Sequence, residues 1–313
     1  MKNEVIFFAI LLVVGINFAL ADVEVRFKSN AEMGNIITMQ MECLDNVKGD
    51  KNYSSVTTTI EGGMMAMLGK GKPMESVNIT RLDRGLFWEV IPEKREYKEM
   101  TTEELKAKIA EGESENQEET DAGIDEEEYT WSVEIQVLPG TQNIGGFECK
   151  GIRGTATGVK KTDPADTVFV TNEQWLSDEV PGRSEMEAYH KRYTEVVGVD
   201  QMWARENMAS MLKGYGAQFE QLSKEIGEQK GYPIKTAIFI ESSLVENKEG
   251  SDGENQGMSE MMKKMFKGKD DENQAKSKSG RSKVFSLTNE VLSITETAID
   301  DSRFEIPAGY KKK

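Results

Sequence analysis

From Asp22 onward the chain alternates: Val23, Val25 and Phe27 are apolar, while Asp22, Glu24, Arg26 and Lys28 are polar. That period of two predicts a strand with one covered face. The same pattern places strands at 35–44, 52–62, 76–83, 85–92 and 95–100, joined by short Asn, Asp and Gly turns. Turns this short predict hairpins, because parallel neighbours need crossovers of a dozen residues or more. Strands resume at 129–139, 145–161 and 166–177, return at 231–246, and a last long strand or hairpin covers 283–299.

Helical spacing appears in three places. Thr101 with Glu104 three residues on forms a capping box, and the helix it opens is expected to end at Gly112. In 184–198 the apolar stripe is Met186, Tyr189, Tyr193 and Val196 or Val197, closed by Gly198. A further helix puts Ala204, Met208, Met211, Tyr215, Phe219, Leu222 and Ile226 at steps of three and four, a narrow seam suited to packing on a sheet. The two halves also echo each other. "FWEVIPEKREYK" (87–98) and "RFEIPAGYKK" (303–312) read either as a duplicated unit or as a repeated way of ending a β-meander.

Composition adds a compartment. Lys2, the apolar run from Val5 to Leu20 and the small-x-small site Ala19-Leu20-Ala21 predict a signal peptide over 1–21, leaving one domain over 22–313. No later run is apolar enough to cross a membrane, so the expectation is a periplasmic or secreted protein of the bacterial envelope. The net charge is −16, but residues 111–128 hold ten acidic and no basic side chains, so the balance elsewhere is only about −6. That stretch reads as a solvated acidic linker, and residues 247–282 as a polar low-complexity insert. Without clustered Lys and Arg, nucleic acid is excluded as a partner. In an oxidising compartment Cys43 and Cys149 are expected to pair as a disulfide, with two separately buried thiols as the alternative.

Candidate chemistry is sparse. Two methionine patches stand out, Met64, Met65 and Met67 in "GGMMAMLGKGKPM" (62–74) and Met261, Met262 and Met265 in "GMSEMMKKMFKGK" (257–269). Thioethers can hold Cu(I), yet methionine is also a flexible filler of apolar surfaces that accept varied partners, and no fixed ligand frame accompanies these. His190 follows Glu187 by three, half of a di-metal motif whose other half needs a second histidine that the chain lacks. No G-x-S-x-G occurs, "GKGK" (69–72) misses the spacing of a phosphate loop, and Asp125 to Glu128 lacks the alternating oxygens of a calcium loop. Trp88, Trp131, Trp175 and Trp203 read as core or sheet-face anchors. No catalytic residues, cofactor or metal site are assigned, which points away from an enzyme.

Short phrases spread over the chain, "REYKEMTTEELKAKI" (95–109), "GGFECKGI" (145–152), "VTNEQWLSDEVPG" (170–182), "KGYPIKT" (230–236) and "FEIPAGYKK" (304–312), resemble a family of uncharacterised exported bacterial proteins. That family is similar in build to the LolA-like periplasmic lipoprotein carriers. The resemblance implies an α+β fold: a strongly curved antiparallel sheet, an incomplete β-barrel, with helices across its concave face. It implies a non-enzymatic binding or carrier protein for a lipid or other apolar ligand; on the carrier reading the six methionines are expected near the mouth. An envelope structural or interaction protein with its own protein partner, and a Met-rich Cu(I)-binding protein, are the alternative functions.

Overall fold

The structure is a computed structural model that describes residues 22–33, 37–61, 73–118, 128–198, 221–222, 224–226, 229–243 and 281–313, of which 111–118 by backbone only. The predicted signal peptide, all six singled-out methionines, Trp203, "GKGK", the seam residues from Ala204 to Phe219, half of the acidic stretch and most of the polar insert lie outside the described residues.

Twelve strands form one sheet: β1 (Val23–Met33), β2 (Ile37–Lys48), β3 (Lys51–Glu61), β4 (Met74–Arg81), β5 (Leu86–Ile91), β6 (Glu96–Thr101), β7 (Tyr129–Ile144), β8 (Phe147–Lys160), β9 (Thr167–Ser177), β10 (Tyr232–Ser242), β11 (Ser282–Glu296) and β12 (Lys311–Lys312). Their order is β12-β6-β5-β4-β3-β2-β1-β11-β10-β9-β8-β7. Two meanders, β1 to β6 and β7 to β11, therefore join where β11 pairs with β1. Every pairing is antiparallel except β12 on β6. The sheet is not closed, since β12 and β7 are its two edges. This is the expected α+β architecture in its coarse form, a large antiparallel sheet with few helices.

Helix α1 (Thr102–Glu118) starts at the predicted capping box: the Thr101 N–H donates to the Glu104 carboxylate at 2.7 Å, and the Glu104 N–H donates back to the Thr101 hydroxyl at 3.2 Å. It does not end at Gly112. One interior glycine costs only about 1 kcal/mol, and the Glu and Gln residues that follow are good helix formers. The helix thus takes up the first part of the expected acidic linker. Helix α2 (Arg183–Val197) follows a turn at Gly182, whose φ is +63° and whose added Cβ would stand 2.2 Å from Val23. Only glycine fits a left-handed residue pressed that close to a strand. Helical residues at 221–222 and 224–226 bury Leu222 and Ile226, two members of the predicted seam.

Cross-strand pairing sorts side chains onto two faces. α1, α2, Leu222 and Ile226 sit on one, where Phe87, Val47 and Leu82 meet Tyr189, Tyr193 and Val197 of α2 and Leu105 and Ile109 of α1. On the other face, over β3 to β6, the C-terminal strap crosses the sheet. It is tied at Asp22, whose carboxylate accepts from the Ile299 N–H at 2.8 Å, and it drives Phe304, 0% exposed, among Val77, Ile79, Trp88 and Val90. Buried Arg81 secures it by donating to the Phe304 carbonyl at 3.4 Å and pairing with Glu305 and Asp83. The strap ends as β12, where Lys311 lies beside Glu96 and Lys312 beside Tyr97.

This explains the echo between the halves. Pro92 and Pro307 each precede their strand by four residues, and each accepts a turn hydrogen bond from three residues on, Arg95 and Tyr310. The repeated phrase is two Ile-Pro turns feeding adjacent parallel strands in the same register.

The expected disulfide is absent: Cys43 on β2 and Cys149 on β8 are both buried and not bonded to each other. Four strands separate β2 from β8 in the sheet. Five steps of about 4.8 Å put them roughly 24 Å apart along the sheet, whereas a disulfide needs Cα atoms within about 7 Å. Cys149 instead donates to the Phe147 carbonyl at 3.4 Å, and burial pushes its thiol pKa up. The alternative of two separately buried thiols is the one realised.

Candidate functional site

The helix-bearing face is apolar across the middle of the sheet, and its residues fall into transverse rows. Toward one end run Met33, Phe285, Ile240, Val170, Ala156 and Val133, one from each neighbouring strand. The next row is Ile60, Met39, Ala31, Leu287, Ile238, Asn172, Gly154 and Ile135. The third is Thr58, Met41, Ser29, Asn289, Thr236, Gln174 and Ile152. Neither the second nor the third row contains a charged side chain.

Coverage of these rows is uneven. Over β8 the approach is close: a Cβ added at Gly154 would come within 2.7 to 3.1 Å of Leu222, Ile135 and Ile226. Gly158 does the same for Trp131, whose ring atoms stand 2.8 Å from the position of its missing Cβ. Small residues on β8 thus let a helix and an aromatic side chain settle on the sheet. Over β1 to β4 the face is partly exposed around buried Ala31, as it is at the β7 edge, where Val137 is 70% exposed. Met33, Met39, Met41 and Ile60 are half-buried, and Met74 at the start of β4 is 51% exposed.

The strands place both methionine-bearing connections at this same end. The 62–73 connection leaves β3 after Glu61, next to the Met39–Ile60 pair, and enters β4 at Met74. The 243–281 connection leaves β10 after Ser242 and enters β11 at Ser282, next to Phe285 and its partner Met33. The topology therefore brings the roots of two sequence-distant patches to one margin of one face.

The opposite face is polar in this half of the sheet. Glu290 lies between Lys28 at 3.1 Å and Lys235 at 3.2 Å, Arg153 meets Glu173 at 2.5 Å, and Lys283 meets Glu32 at 3.0 Å. Burial works against ionisation of Glu290, but the two lysines hold its carboxyl below the usual range. The Lys283 hydrogen bond does the same for Glu32. A shallow cavity of about 320 Å³ lies on this face under the strap, between Tyr53, Val77, Ile79, Val90, Pro307 and Tyr310, with the Arg303 guanidinium 3.8 Å from the Tyr53 ring centre.

Other residues from the sequence fall in structural places. His190 is half-buried on α2 with its ring 6.1 Å from that of Tyr189, and Glu187 pairs with Arg183 at 2.6 Å. Glu128 pairs with Lys160 at 3.2 Å. The Trp88 and Trp175 indoles donate to Glu99 and Glu173, each at 2.8 Å. Among the described residues no group of three or more His, Cys, Asp or Glu side chains could hold a metal.

Sequence reasoning missed the polar residues of the third row and Asn172 beside them. Ser29 donates to the Asn289 side-chain carbonyl. Asn172 is 3% exposed, and its Oδ1 has no hydrogen-bond partner among the described residues. An unsatisfied buried acceptor costs about 1–3 kcal/mol, so such atoms are uncommon.

No family model matches the chain, and no curated protein matches it. A crystal structure of a LolA superfamily protein from Nitrosomonas europaea aligns over 92% of this chain and 91% of its own, with 10% sequence identity and a TM-score of 0.24.

Proposed function

We propose that this is an exported, non-enzymatic binding or carrier protein that holds a lipid or other apolar ligand on the helix-bearing face of its sheet. The carrying observation is the margin over β1 to β4, where half-buried Met33, Met39, Met41 and Ile60 and exposed Met74 meet the roots of both methionine-bearing connections. An unbranched thioether side chain adapts its shape to what it touches, as a site for chains of differing length requires. Met64, Met65, Met67, Met261, Met262 and Met265 are the segment residues assigned to the mouth of that site. Transfer of an apolar ligand needs no acid, base or nucleophile, only an apolar concave surface with a few polar groups to orient the cargo. Among the described residues no helix is long and apolar enough to cross a membrane, consistent with a carrier working beside a membrane.

The test is native mass spectrometry of the protein from its own compartment, followed by organic extraction and titration with the neutral apolar dye N-phenyl-1-naphthylamine. A stoichiometric lipid, or saturable dye uptake that lipid displaces, is expected. A clean protein mass together with no dye uptake would overturn the reading in favour of a sheet filled by its own side chains.

A further inference from the structure

Where the three rows cross β1, β11, β10 and β9 they contain one polar interruption, and it is contiguous. Ser29 on β1, Asn289 on β11, Thr236 on β10 and Gln174 on β9 are cross-strand partners in unbroken succession. Asn172 stands one pleat away on β9, its own cross-strand partners being Ile238 and Gly154. One partner is apolar and the other has no side chain, so neither side chain can donate to the Asn172 Oδ1. Its Oδ1 is buried without a partner among the described residues, while Thr236, Gln174 and Asn289 are only half-buried. Buried polar atoms are ordinarily hydrogen-bonded; this one has no partner among the described residues and lies beside three polar side chains that are only half-buried.

We propose that this row is the head-group subsite of the carrier, and that the cargo is an amphiphile with a neutral, hydrogen-bond-donating head: a hydroxyl or amide on an acyl or alkyl chain. This rests on the carrier reading above. Oδ1 is an acceptor, so the missing partner is a donor. No charged side chain lies in this row or the next toward the methionine margin, so an ionised head would be desolvated without a counter-charge. From Gln174 to Val168, where the apolar rows end, is six residues, or about 20 Å of strand, enough floor for a chain pointing toward the methionine margin.

The experiment uses the full mature chain and displacement of N-phenyl-1-naphthylamine by three ligands sharing one tail: 1-decanoylglycerol, decanoate and methyl decanoate. They present a neutral donor, an anion and an acceptor without a donor. The glyceride is expected to displace the dye at about one tenth the concentration needed for the ester, with decanoate the weakest. Asn172→Leu should reduce that preference to about twofold while leaving ester binding in place. Thr236→Val, nearly isosteric and at a half-buried position, should reduce it in the same direction and serves if Asn172→Leu does not fold. Equal displacement by all three, or strongest displacement by decanoate, overturns the neutral-head assignment and leaves the carrier reading intact. A preference unchanged in both variants removes the row from the site. Absence of any binding to the wild-type chain overturns the carrier reading itself, and this inference with it.

Discussion

Replacing Phe304 by Ala tests whether the C-terminal strap is a structural member of the sheet. The ring is 0% exposed and packs among Val77, Ile79, Trp88 and Val90, four residues from β4 and β5. Removing it deletes a buried aromatic side chain and leaves a cavity that the rigid strands cannot collapse, a loss of about 3–5 kcal/mol. Set against a total stability of about 5–15 kcal/mol, that should lower the midpoint of thermal unfolding by roughly 6–15 °C. Phe304→Leu keeps most of the volume and should cost about 1.5 kcal/mol or less. The assay is urea unfolding followed by tryptophan fluorescence, with Trp88 in the same cluster as the reporter, together with amide hydrogen exchange over 86–101 and 297–313. The reasoning predicts that both segments lose protection together in the alanine variant, because β12 pairs with β6 and the strap is tied at Asp22 and Arg81. A loss below about 1 kcal/mol, or exchange that rises in the strap alone, would refute it and make the strap a detachable tail.

Three further outcomes follow from the packing and the charges. Gly154→Val should destabilise by about 1–3 kcal/mol through overpacking and raise hydrogen exchange around Leu222 and Ile226, since its new side chain starts 2.7–3.1 Å from both; unchanged exchange there would mean that Leu222 and Ile226 do not rest on β8. Alkylation in denaturant without reductant should add two labels, one each at Cys43 and Cys149, by intact mass, whereas a disulfide would block both. The carboxyls of Asp83, held low by its hydrogen bonds from Arg81, and of Glu32, held low by Lys283, bind fewer protons folded than unfolded. Their contribution to stability is complete above the ordinary carboxylate range near 4 and is lost as pH falls through their depressed folded values; the urea midpoint should therefore drop as pH falls below about 4, and less steeply in Asp83→Asn.

The meanders were legible because hairpin topology leaves its mark on local sequence: period-two alternation, short polar turns, and a capping box that closes as Thr101 and Glu104 predict. What the sequence misplaced or left open has several origins. The disulfide followed from compartment chemistry alone, and only the strand order separates Cys43 from Cys149. Gly112 looked like a stop because a glycine near a helix end often is one, yet the residues beyond it sustain the helix to Glu118. The Ile-Pro echo invited duplication, and its physical origin, β12 lying parallel to β6, joins segments from opposite ends of the chain.

The candidate site shows the same division between local and distant information. The methionine patches are visible in sequence as composition, but the polar row is not, because each strand contributes a single residue that looks like an ordinary lapse in its apolar period. In β9 the covered positions run Val168, Val170, Asn172 and Gln174; in β10 Thr236 precedes Ile238 and Ile240; in β11 Asn289 follows Phe285 and Leu287; in β1 Ser29 precedes Ala31. Each lapse taken singly is unremarked surface polarity. The pairing registers decide otherwise, because they set these side chains next to one another across three successive junctions. Aligned, they form one polar line with apolar rows beside it, and Ser29 already satisfies Asn289 within it. The one member that the alignment leaves unsatisfied, Asn172, is displaced toward the methionine margin, on the side from which the proposed site admits a ligand.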